Sequence, residues 1–270
     1  MSDFSASDPN QPPPVAGQGG SPPPPPPPNL SPPPGYQAYS AAPTPVSGSL
    51  SRVSGLSKAV VILAAVAAVG SVVTAITTPG AVDSARQFRD GAISESRFLD
   101  DYTAYGLTQT LQGIGTLATA VLTIIWLYRI AKNVRVMGRA TTWAPIWAVF
   151  GWILPPVLII IPFLMVREMW KASNPDVGLG AEQWKQGDEN PLIIVWFVLY
   201  GIVPAILTVI SSSNALSAGF EQDAEDVARV LDESGSLTIL GSIVSAVAAV
   251  VWILVVRQLT ARHVAFTNER

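Results

Sequence analysis

The most restrictive feature of this sequence is a set of long apolar stretches without a charged residue. Residues 59–78 read AVVILAAVAAVGSVVTAITT, and a helix of that length rises about 30 Å, which matches the hydrocarbon core of a bilayer. Residues 107–128, 191–211 and 236–256 pass the same test. Each ends near Arg, Lys, Trp or Tyr, which anchor helices at the membrane interface. The sequence therefore predicts an all-α integral membrane protein with four transmembrane helices.

Composition excludes several classes of function. Only 13% of residues are charged and the net charge is −3, so a basic surface for nucleic acid is not expected. The chain has no Cys and a single His, His263, which argues against disulfides, thiol catalysis and metal centres built from cysteine or several histidines. The sequence predicts no metal and no cofactor.

Residues 1–50 differ sharply from the remainder. They contain 16 of the 24 prolines, including the run 22–28, and no Lys or Arg. Proline fixes φ and removes an amide donor, so we expect a disordered, solvated polyproline II tail ahead of a membrane domain at 51–262 and a short tail at 263–270. The proline-rich tail is either a spacer or a ligand for an aromatic groove of a partner protein, with Tyr36 as the aromatic residue of the docking motif.

A fifth apolar stretch, 143–166, is long enough to cross the membrane but contains four prolines. Interior prolines remove amides and crowd the preceding turn, which disfavours a straight helix. Two interpretations remain open: a re-entrant hairpin with arms at 143–154 and 157–166, each too short to traverse the core, or a proline-kinked fifth span.

The distribution of Lys and Arg distinguishes these interpretations, because both accumulate in short cytoplasmic loops. A re-entrant hairpin places twelve of the 16 on the cytoplasmic side and four outside. A full crossing places seven inside and nine outside, or nine and seven if the protein is inverted. The charges therefore favour the hairpin, with both termini in the cytoplasm.

The chain also contains an internal repeat. Residues 115–126, GTLATAVLTIIW, align with 241–252, GSIVSAVAAVVW, through matched Gly and Trp positions. The preceding helices align more loosely, which predicts two tandem helical hairpins that run in the same sense. Apolar residues at helical spacing after the first and third spans, including Phe88, Leu99, Phe220 and Leu231, predict short amphipathic outer helices. Gly115, Thr119 and Thr123, like Gly241, Ser245 and Ala249, form stripes of small residues suited to close helix packing.

None of the four spans contains a charged residue, which disfavours a proton- or sodium-coupled carrier and an intramembrane enzyme. Gln109 and Gln112 are the strongest polar groups in the spans, and we expect them to bridge helices. A cluster of aromatic and cationic residues instead lies at the predicted inner interface. It indicates either simple interfacial anchoring or a site for anionic lipid headgroups or a protein partner.

The cluster lies in the stretch WLYRIAKNVR at 126–135 and in PIWAVFGWILPPVLIIIPFLMVREMWKASNP at 145–175. With this spacing the chain resembles an actinobacterial family of multi-pass membrane proteins, domain-of-unknown-function family 4328. The family pattern has an Arg and an Asn leaving a helix, then Pro-x-Trp, a further Trp, two prolines seven apart and a closing Arg-Glu-x-Trp. In this chain Pro145 stands at the Pro of Pro-x-Trp, and the candidate site residues that match the pattern are Arg129, Asn133, Trp147, Trp152, Pro155, Pro162, Arg167, Glu168 and Trp170. The family often has Asn between the two prolines, where this chain has Leu158. The resemblance implies a bacterial plasma membrane and no established activity.

Two functional hypotheses follow. The first is a non-enzymatic scaffold that recruits a protein partner through its proline-rich tail. The second is a permease for a small solute or a lipid, in which the proline-broken segment forms the site. The expected partners are the bilayer and its anionic headgroups, and the sequence does not define the oligomeric state.

Overall fold

The computed structural model describes residues 49–152, 159–179, 182–215 and 223–269, and for 211–215 the backbone alone. The described residues therefore do not include Pro155, Leu158 or Phe220. Of the predicted proline-rich tail, they include only residues 49 and 50.

Within the described residues, four helices are long and apolar enough to span a membrane, and they coincide with the four predicted spans. They are α1 (Ser54–Arg89), α2 (Glu95–Val136), a continuous rod, and α7 (Ala224–Thr267). The rod consists of α5 (Pro191–Phe197), a π-helical turn (Val198–Ile202) and α6 (Val203–Ala215). Between α2 and the rod lie α3 (Trp147–Phe150), α4 (Ile160–Ala172) and a 3₁₀ turn (Gln183–Gln186). The described residues include no strand, so the all-α prediction is confirmed.

Side-chain caps fix where three of these helices begin. The Ser94 hydroxyl accepts a hydrogen bond from the Arg97 amide at 3.3 Å, and Asp223 accepts one from the Asp226 amide at 2.9 Å. Asn190 caps α5 through the Leu192 amide at 3.0 Å, with proline in the first helical turn. Short polar side chains in these positions satisfy amides that the first turn leaves unpaired.

The spanning helices run well beyond the predicted spans. We expected separate amphipathic helices outside the membrane, but α1 continues unbroken to Arg89, and α2 and α7 begin at Glu95 and Ala224. The reason is an apolar core formed where these parts of α1, α2 and α7 meet, beyond the predicted spans. In this core the rings of Phe88 and Phe98 stack at 5.0 Å. This core keeps the extensions helical, although Leu99 stays exposed. Helix α7 likewise continues past 262 and ends at Thr267.

The contacts define two ends of the bundle. At one end the start of α1 meets the end of α7, where Glu269 accepts hydrogen bonds from the Val53 amide. At the other end Arg86 and Arg89 both pair with Asp232. Most of the described Lys and Arg residues lie at the first end, here called the basic end: Arg52, Lys58, Arg129, Lys132, Arg135, Arg139, Arg167, Lys171, Lys185, Arg257 and Arg262. The other end, called the far end, has only Arg86, Arg89, Arg97 and Arg229 among the described residues.

The proline-rich stretch 143–166 folds back on itself. The amides of Thr142 and Trp143 donate to the Glu168 carboxylate at 2.6 and 3.1 Å, so the two ends of the stretch meet. Farther along, a Cβ added to Gly151 would stand 2.6 Å from Ile161. Ten residues of continuous helix would separate those positions by about 15 Å. The helical parts differ from the predicted arms, because α3 has 4 residues and α4 extends past 166 to Ala172.

The folded-back stretch reaches about halfway along the neighbouring rod. Trp152 contacts the rings of Trp196 and Tyr200, and Ile159 contacts Gly201. These rod residues lie five to ten positions after Pro191, which is about 8 to 15 Å along the helix, against a core thickness of about 30 Å. Both ends of the stretch therefore lie at the basic end, which is the geometry that the re-entrant interpretation predicts, and the stretch is called the re-entrant hairpin below.

Candidate functional site

A half-open pocket of about 370 Å³, here called the cavity, lies between the helices at the level of the predicted spans. Its walls come from α1, α2, the rod, α7 and Trp152 of the re-entrant hairpin. Helix α1 packs along both α2 and α7, whereas α2 makes hardly any direct contact with the rod, and the cavity lies between those two elements. The lining includes Ser71, Gln112, Thr119, Thr123, Trp152, Trp196, Tyr200, Ser245, Ala249 and Trp252.

One wall of the cavity is aromatic. The rings of Trp196 and Tyr200 are stacked at 5.2 Å, as expected for residues one helical turn apart, and Trp152 meets the Tyr200 ring edge-on at 5.7 Å. Trp196 also lies 4.5 Å from Trp252 of α7. These side chains offer flat apolar surfaces together with polar N–H and O–H groups at their edges.

The opposite wall comes from α1, α2 and α7 and presents small and hydroxyl-bearing side chains. The Thr119 hydroxyl donates to the Gly115 carbonyl at 2.8 Å, which leaves the oxygen of Thr119 able to accept a hydrogen bond. Thr123 accepts a long hydrogen bond, 3.4 Å, from the Trp252 indole. A ligand would therefore find hydrogen-bonding oxygens facing an aromatic surface.

The predicted stripes of small residues have two roles in the structure. Gly115 lies close to the α1 backbone at Ala67, and Gly241 lies beside Leu207 of the rod, so the glycines permit helix packing as expected. The remaining members, Thr119, Thr123, Ser245 and Ala249, instead line the cavity. Small side chains at these positions leave the space that the cavity occupies.

The two tryptophans of the internal repeat meet at the cavity. Helices α2 and α7 run in the same direction, and the rings of Trp126 and Trp252 are perpendicular at 6.0 Å. Trp126 donates to the Thr260 hydroxyl of α7 at 3.1 Å, while Trp252 donates to Thr123 of α2. Each repeat tryptophan is therefore fixed by a threonine on the other repeat helix, and Trp252 is held against the cavity.

The π-helical turn of the rod positions the aromatic wall. A π turn widens the helix locally and is frequent at functional sites. Here it brings Gly201 against Ile159, at the start of the returning arm of the hairpin, where a side chain on Gly201 would collide with Ile159. Nearby, Phe163 of α4 stacks on Phe197 at 4.3 Å. The hairpin is therefore seated on the same surface that carries Trp196 and Tyr200.

Arg129 and Asn133, two of the predicted site residues, hold the start of α1. The Asn133 side chain is 1% exposed; its oxygen accepts from the Ser51 amide and its nitrogen donates to the Ser51 carbonyl, both at 2.8 Å. Arg129 donates to the Arg52 carbonyl at 3.0 Å. Their placement at i and i+4 on α2 lets both contact one short segment of chain. The polar groups of Arg129 and Asn133 therefore hydrogen-bond within the protein and stabilise its fold.

The buried imidazole of His263 completes that network. Asn133 Nδ2 can only donate, so His263 Nε2 must accept it at 3.2 Å, and Nδ1 then carries the proton that faces the Ser173 hydroxyl at 2.9 Å. His263 therefore joins α2, α7 and the residue that follows α4 in its neutral form.

Glu269 secures α1 from the other end of the chain. Its carboxylate accepts hydrogen bonds from the Ser54 hydroxyl at 2.6 Å and from the Ser54 amide at 3.0 Å. Burial acts to raise the pKa of Glu269, but these bonds and those from the Val53 amide stabilise the carboxylate, and the pKa is lowered overall. Because α1 has no side-chain cap of its own, Glu269 takes that role.

Arg167, Glu168 and Trp170 hold the base of the re-entrant hairpin. Glu168 accepts the Thr142 and Trp143 amides, and Trp170 donates to the Asp188 carbonyl at 3.1 Å. Arg167 binds Glu189 in bidentate fashion at 2.7 and 2.5 Å. These hydrogen bonds lower the pKa of Glu189 to about 2 despite partial burial, and Lys171 adds to the effect.

The predicted site residues do not form one site. Arg129 and Asn133 hold the start of α1, while Arg167, Glu168 and Trp170 hold the hairpin. Pro162 is buried in α4, Trp147 packs edge-on against Trp143 at 5.8 Å, and Pro155 lies outside the described residues. Trp152 is the predicted residue that reaches the cavity.

Sequence reasoning missed most of the cavity. The length and apolar character of residues 191–211 predict a span but give no role to Trp196 and Tyr200, although an aromatic pair at i and i+4 is a usable signal. Gln112, by contrast, bridges helices as predicted, through Ser71 and Thr74 of α1. Gln109 is exposed.

Comparison with known proteins gives a family but no activity. No match was found among curated proteins or among solved structures. The family described as Domain of unknown function (DUF4328) matches residues 89–261, from the end of α1 through most of α7. Because this match covers well over half of the chain, the protein belongs to the DUF4328 family.

Proposed function

We propose that this protein is a non-enzymatic plasma-membrane permease that binds a small uncharged molecule in the cavity between its repeat helices. The observation that carries the proposal is the lining of the cavity. Among the described residues, the lining includes aromatic rings, hydroxyls and one amide, and no Asp, Glu, Lys or Arg. A charged ligand at this depth would lack a counter-charge, so the site suits a neutral one.

The size and composition of the cavity support ligand binding. Ligand pockets typically occupy about 300 to 1,000 Å³ and combine apolar walls with a few polar groups. The aromatic wall offers stacking surfaces for a flat apolar body, while Thr119 and Thr123 offer hydrogen-bonding oxygens. The site includes Trp152 from the proline-broken segment, which is the segment that the permease hypothesis assigned to the ligand.

The proposal also specifies orientation. The excess of Lys and Arg at the basic end supports a cytoplasmic location for that end and for both termini. The outward faces of the helices carry exposed Ile, Leu and Val side chains, such as Ile62, Ile76, Leu107 and Leu117, which suit contact with lipid tails. Scaffolding through the proline-rich tail remains the competing hypothesis, and it requires that deletion of residues 1–50 abolish function.

Filling the cavity is expected to abolish ligand binding. The probe is 3-trifluoromethyl-3-phenyldiazirine, an uncharged photoreactive aromatic molecule, applied to protein in lipid nanodiscs with or without excess 1-naphthol. We expect the native protein to show labelling at cavity residues that 1-naphthol competes away. Thr119→Phe should reduce this competable labelling by about tenfold or more, because the added ring occupies the cavity.

The control is Leu117→Phe, which adds an aromatic ring on the same helix at a position that is 66% exposed toward the lipid. It should leave competable labelling unchanged. If native protein shows only lipid-facing labelling that 1-naphthol does not compete, or if both variants behave alike, the cavity is not a ligand site.

A further inference from the structure

We propose that the ligand enters the cavity from the bilayer, through the gap between α2 and the rod, and that it is an uncharged amphiphile. This inference rests on the proposed function and adds an entry side and a substrate class to it. The substrate class is a ring or a short hydrocarbon that carries one hydroxyl or carbonyl group and partitions into membranes.

Three sides of the cavity are closed by helix packing. Helix α1 packs along both α2 and α7, and the rod packs along α7. The α1–α2 side is tight, because a Cβ added to Gly70 would lie 3.2 Å from the Gln112 Cβ. On the side between α7 and the rod, Gly241 lies beside Leu207. The gap between α2 and the rod is therefore the open side in the part of the chain that the structure describes.

The re-entrant hairpin closes this gap toward the basic end. Its helix α3 packs against α2, while Trp152 contacts the rings of Trp196 and Tyr200 on the rod. Two residues that line the cavity from opposite edges of the gap are exposed, Thr116 of α2 and Tyr200. The opening therefore begins near the middle of the membrane and continues toward the far end.

The surface around the opening is aliphatic. Ile114 and Leu117 of α2 are exposed, as are Val198 and Ile202 of the rod. Exposed side chains of this type within the predicted spans suit contact with lipid tails. A molecule that reaches the gap from the side is dissolved in the bilayer, and the cost of moving a charge to this depth excludes ions.

Hydroxyl groups in the middle of the membrane account for the polar group of the ligand. Thr119, Tyr200 and Ser245 line the cavity, and each lies nine to twelve residues from both ends of its predicted span. The hydroxyls of Tyr200 and Ser245 have no hydrogen-bond partner among the described residues. Hydrocarbon offers no partner to a hydroxyl, so leaving it unpaired at this depth is costly. A ligand with one hydrogen-bonding group would pair with these hydroxyls while its apolar body lies against Trp196.

A photoreactive lipid tests the entry side. The full-length protein is placed in nanodiscs of a phosphatidylcholine in which one acyl chain ends in a trifluoromethyl-phenyldiazirine group, and labelled residues are identified by mass spectrometry. We expect adducts at Thr119 and Ala248, which line the cavity, as well as at outward-facing residues such as Leu117. A membrane-impermeant diazirine with a quaternary ammonium group should give no adducts at Thr119 or Ala248.

Two tryptophan variants make this result specific to the gap. Thr116→Trp should reduce the lipid adducts at Ala248 by about fivefold or more, because the indole narrows the opening from the α2 side. Leu111→Trp adds the same ring to the same helix at a position that is 70% exposed, and it should leave those adducts unchanged. The entry side is refuted if the lipid probe labels only outward-facing residues, if the impermeant probe reaches Ala248, or if the two variants behave alike.

The substrate class is tested with 1-naphthol and naphthalene, which differ by one hydroxyl. Each competes against 3-trifluoromethyl-3-phenyldiazirine, with its concentration expressed per lipid. We expect 1-naphthol to compete at about fivefold lower concentration, the factor that one added hydrogen bond contributes. Tyr200→Phe combined with Ser245→Ala should abolish this advantage and leave competition by naphthalene unchanged. Equal competition by both compounds in the native protein would refute the substrate class.

Failure of the entry side and failure of the proposed function give different results. If 1-naphthol competes but the lipid probe does not reach Ala248, the cavity binds a ligand that enters by another route. If the lipid probe reaches Ala248 while neither 1-naphthol nor naphthalene competes, the gap is open to the bilayer and ligand binding is refuted.

Discussion

Replacing Asn133 with leucine is expected to destabilise the protein by about 2 to 4 kcal/mol, because buried polar groups that lose their partners are each costly. Three groups depend on Asn133: the amide and the carbonyl of Ser51, and Nε2 of His263. Leucine has a similar volume and fills the space but satisfies none of them. The thermal midpoint in detergent should fall, and trypsin should cleave after Arg52 more rapidly once that segment is released.

Gln109→Leu provides the control for this prediction. It replaces an amide by leucine on the same helix at an exposed position, so both the thermal midpoint and cleavage after Arg52 should stay close to native values. Equal effects of the two variants would show that the Asn133 network does not hold the start of α1.

Gly201→Ala should displace the re-entrant hairpin from the rod. Alanine would normally stabilise a helix interior by about 1 kcal/mol relative to glycine. Here the methyl group collides with Ile159, and overpacking of this kind costs about 1 to 3 kcal/mol. We expect a lower thermal midpoint together with greater accessibility of Trp152 to N-bromosuccinimide, because Trp152 is carried by the same hairpin.

A double-mutant cycle makes this prediction specific to one contact. Ile159→Ala should relieve most of the effect of Gly201→Ala, since the colliding group is removed. Gly113→Ala is the matched control, because a Cβ at Gly113 meets no other atom within 4 Å and should leave the protein as stable or slightly more so. Additive effects of the two substitutions at 159 and 201 would contradict the packing described.

The sequence was sufficient for the spans because their length and lack of charge are local properties. It also predicted that 143–166 would not be a straight helix, since prolines act locally and Lys and Arg report the side of the membrane. The positions at which the helices end could not be predicted from such local properties. The extension of α1 to Arg89 depends on Phe88 meeting Phe98, which is a contact between helices.

The candidate site also combines features that the local sequence predicts with features that depend on contacts between helices. Arg129 and Asn133 were identified by type and spacing, but their contacts with residues 51 and 52 depend on how α1 docks. The cavity requires α1, α2, the rod, α7 and the hairpin to leave a space between them, and no single segment encodes it. Trp152 was selected as a possible ligand contact, whereas Trp196 and Tyr200 gained that role only when the hairpin folded back against the rod.

Sidedness of three introduced cysteines tests the central claim, that residues 143–166 enter the membrane and return to the same side. The positions are Thr142, Asp176 and Glu233, all exposed in the structure. Using an impermeant maleimide on sealed vesicles of both orientations, we expect cysteines at 142 and 176 to react from the cytoplasmic face. A cysteine at 233 should react from the opposite face. Reaction of 142 and 176 from opposite faces would contradict the account, because the segment would then cross the bilayer.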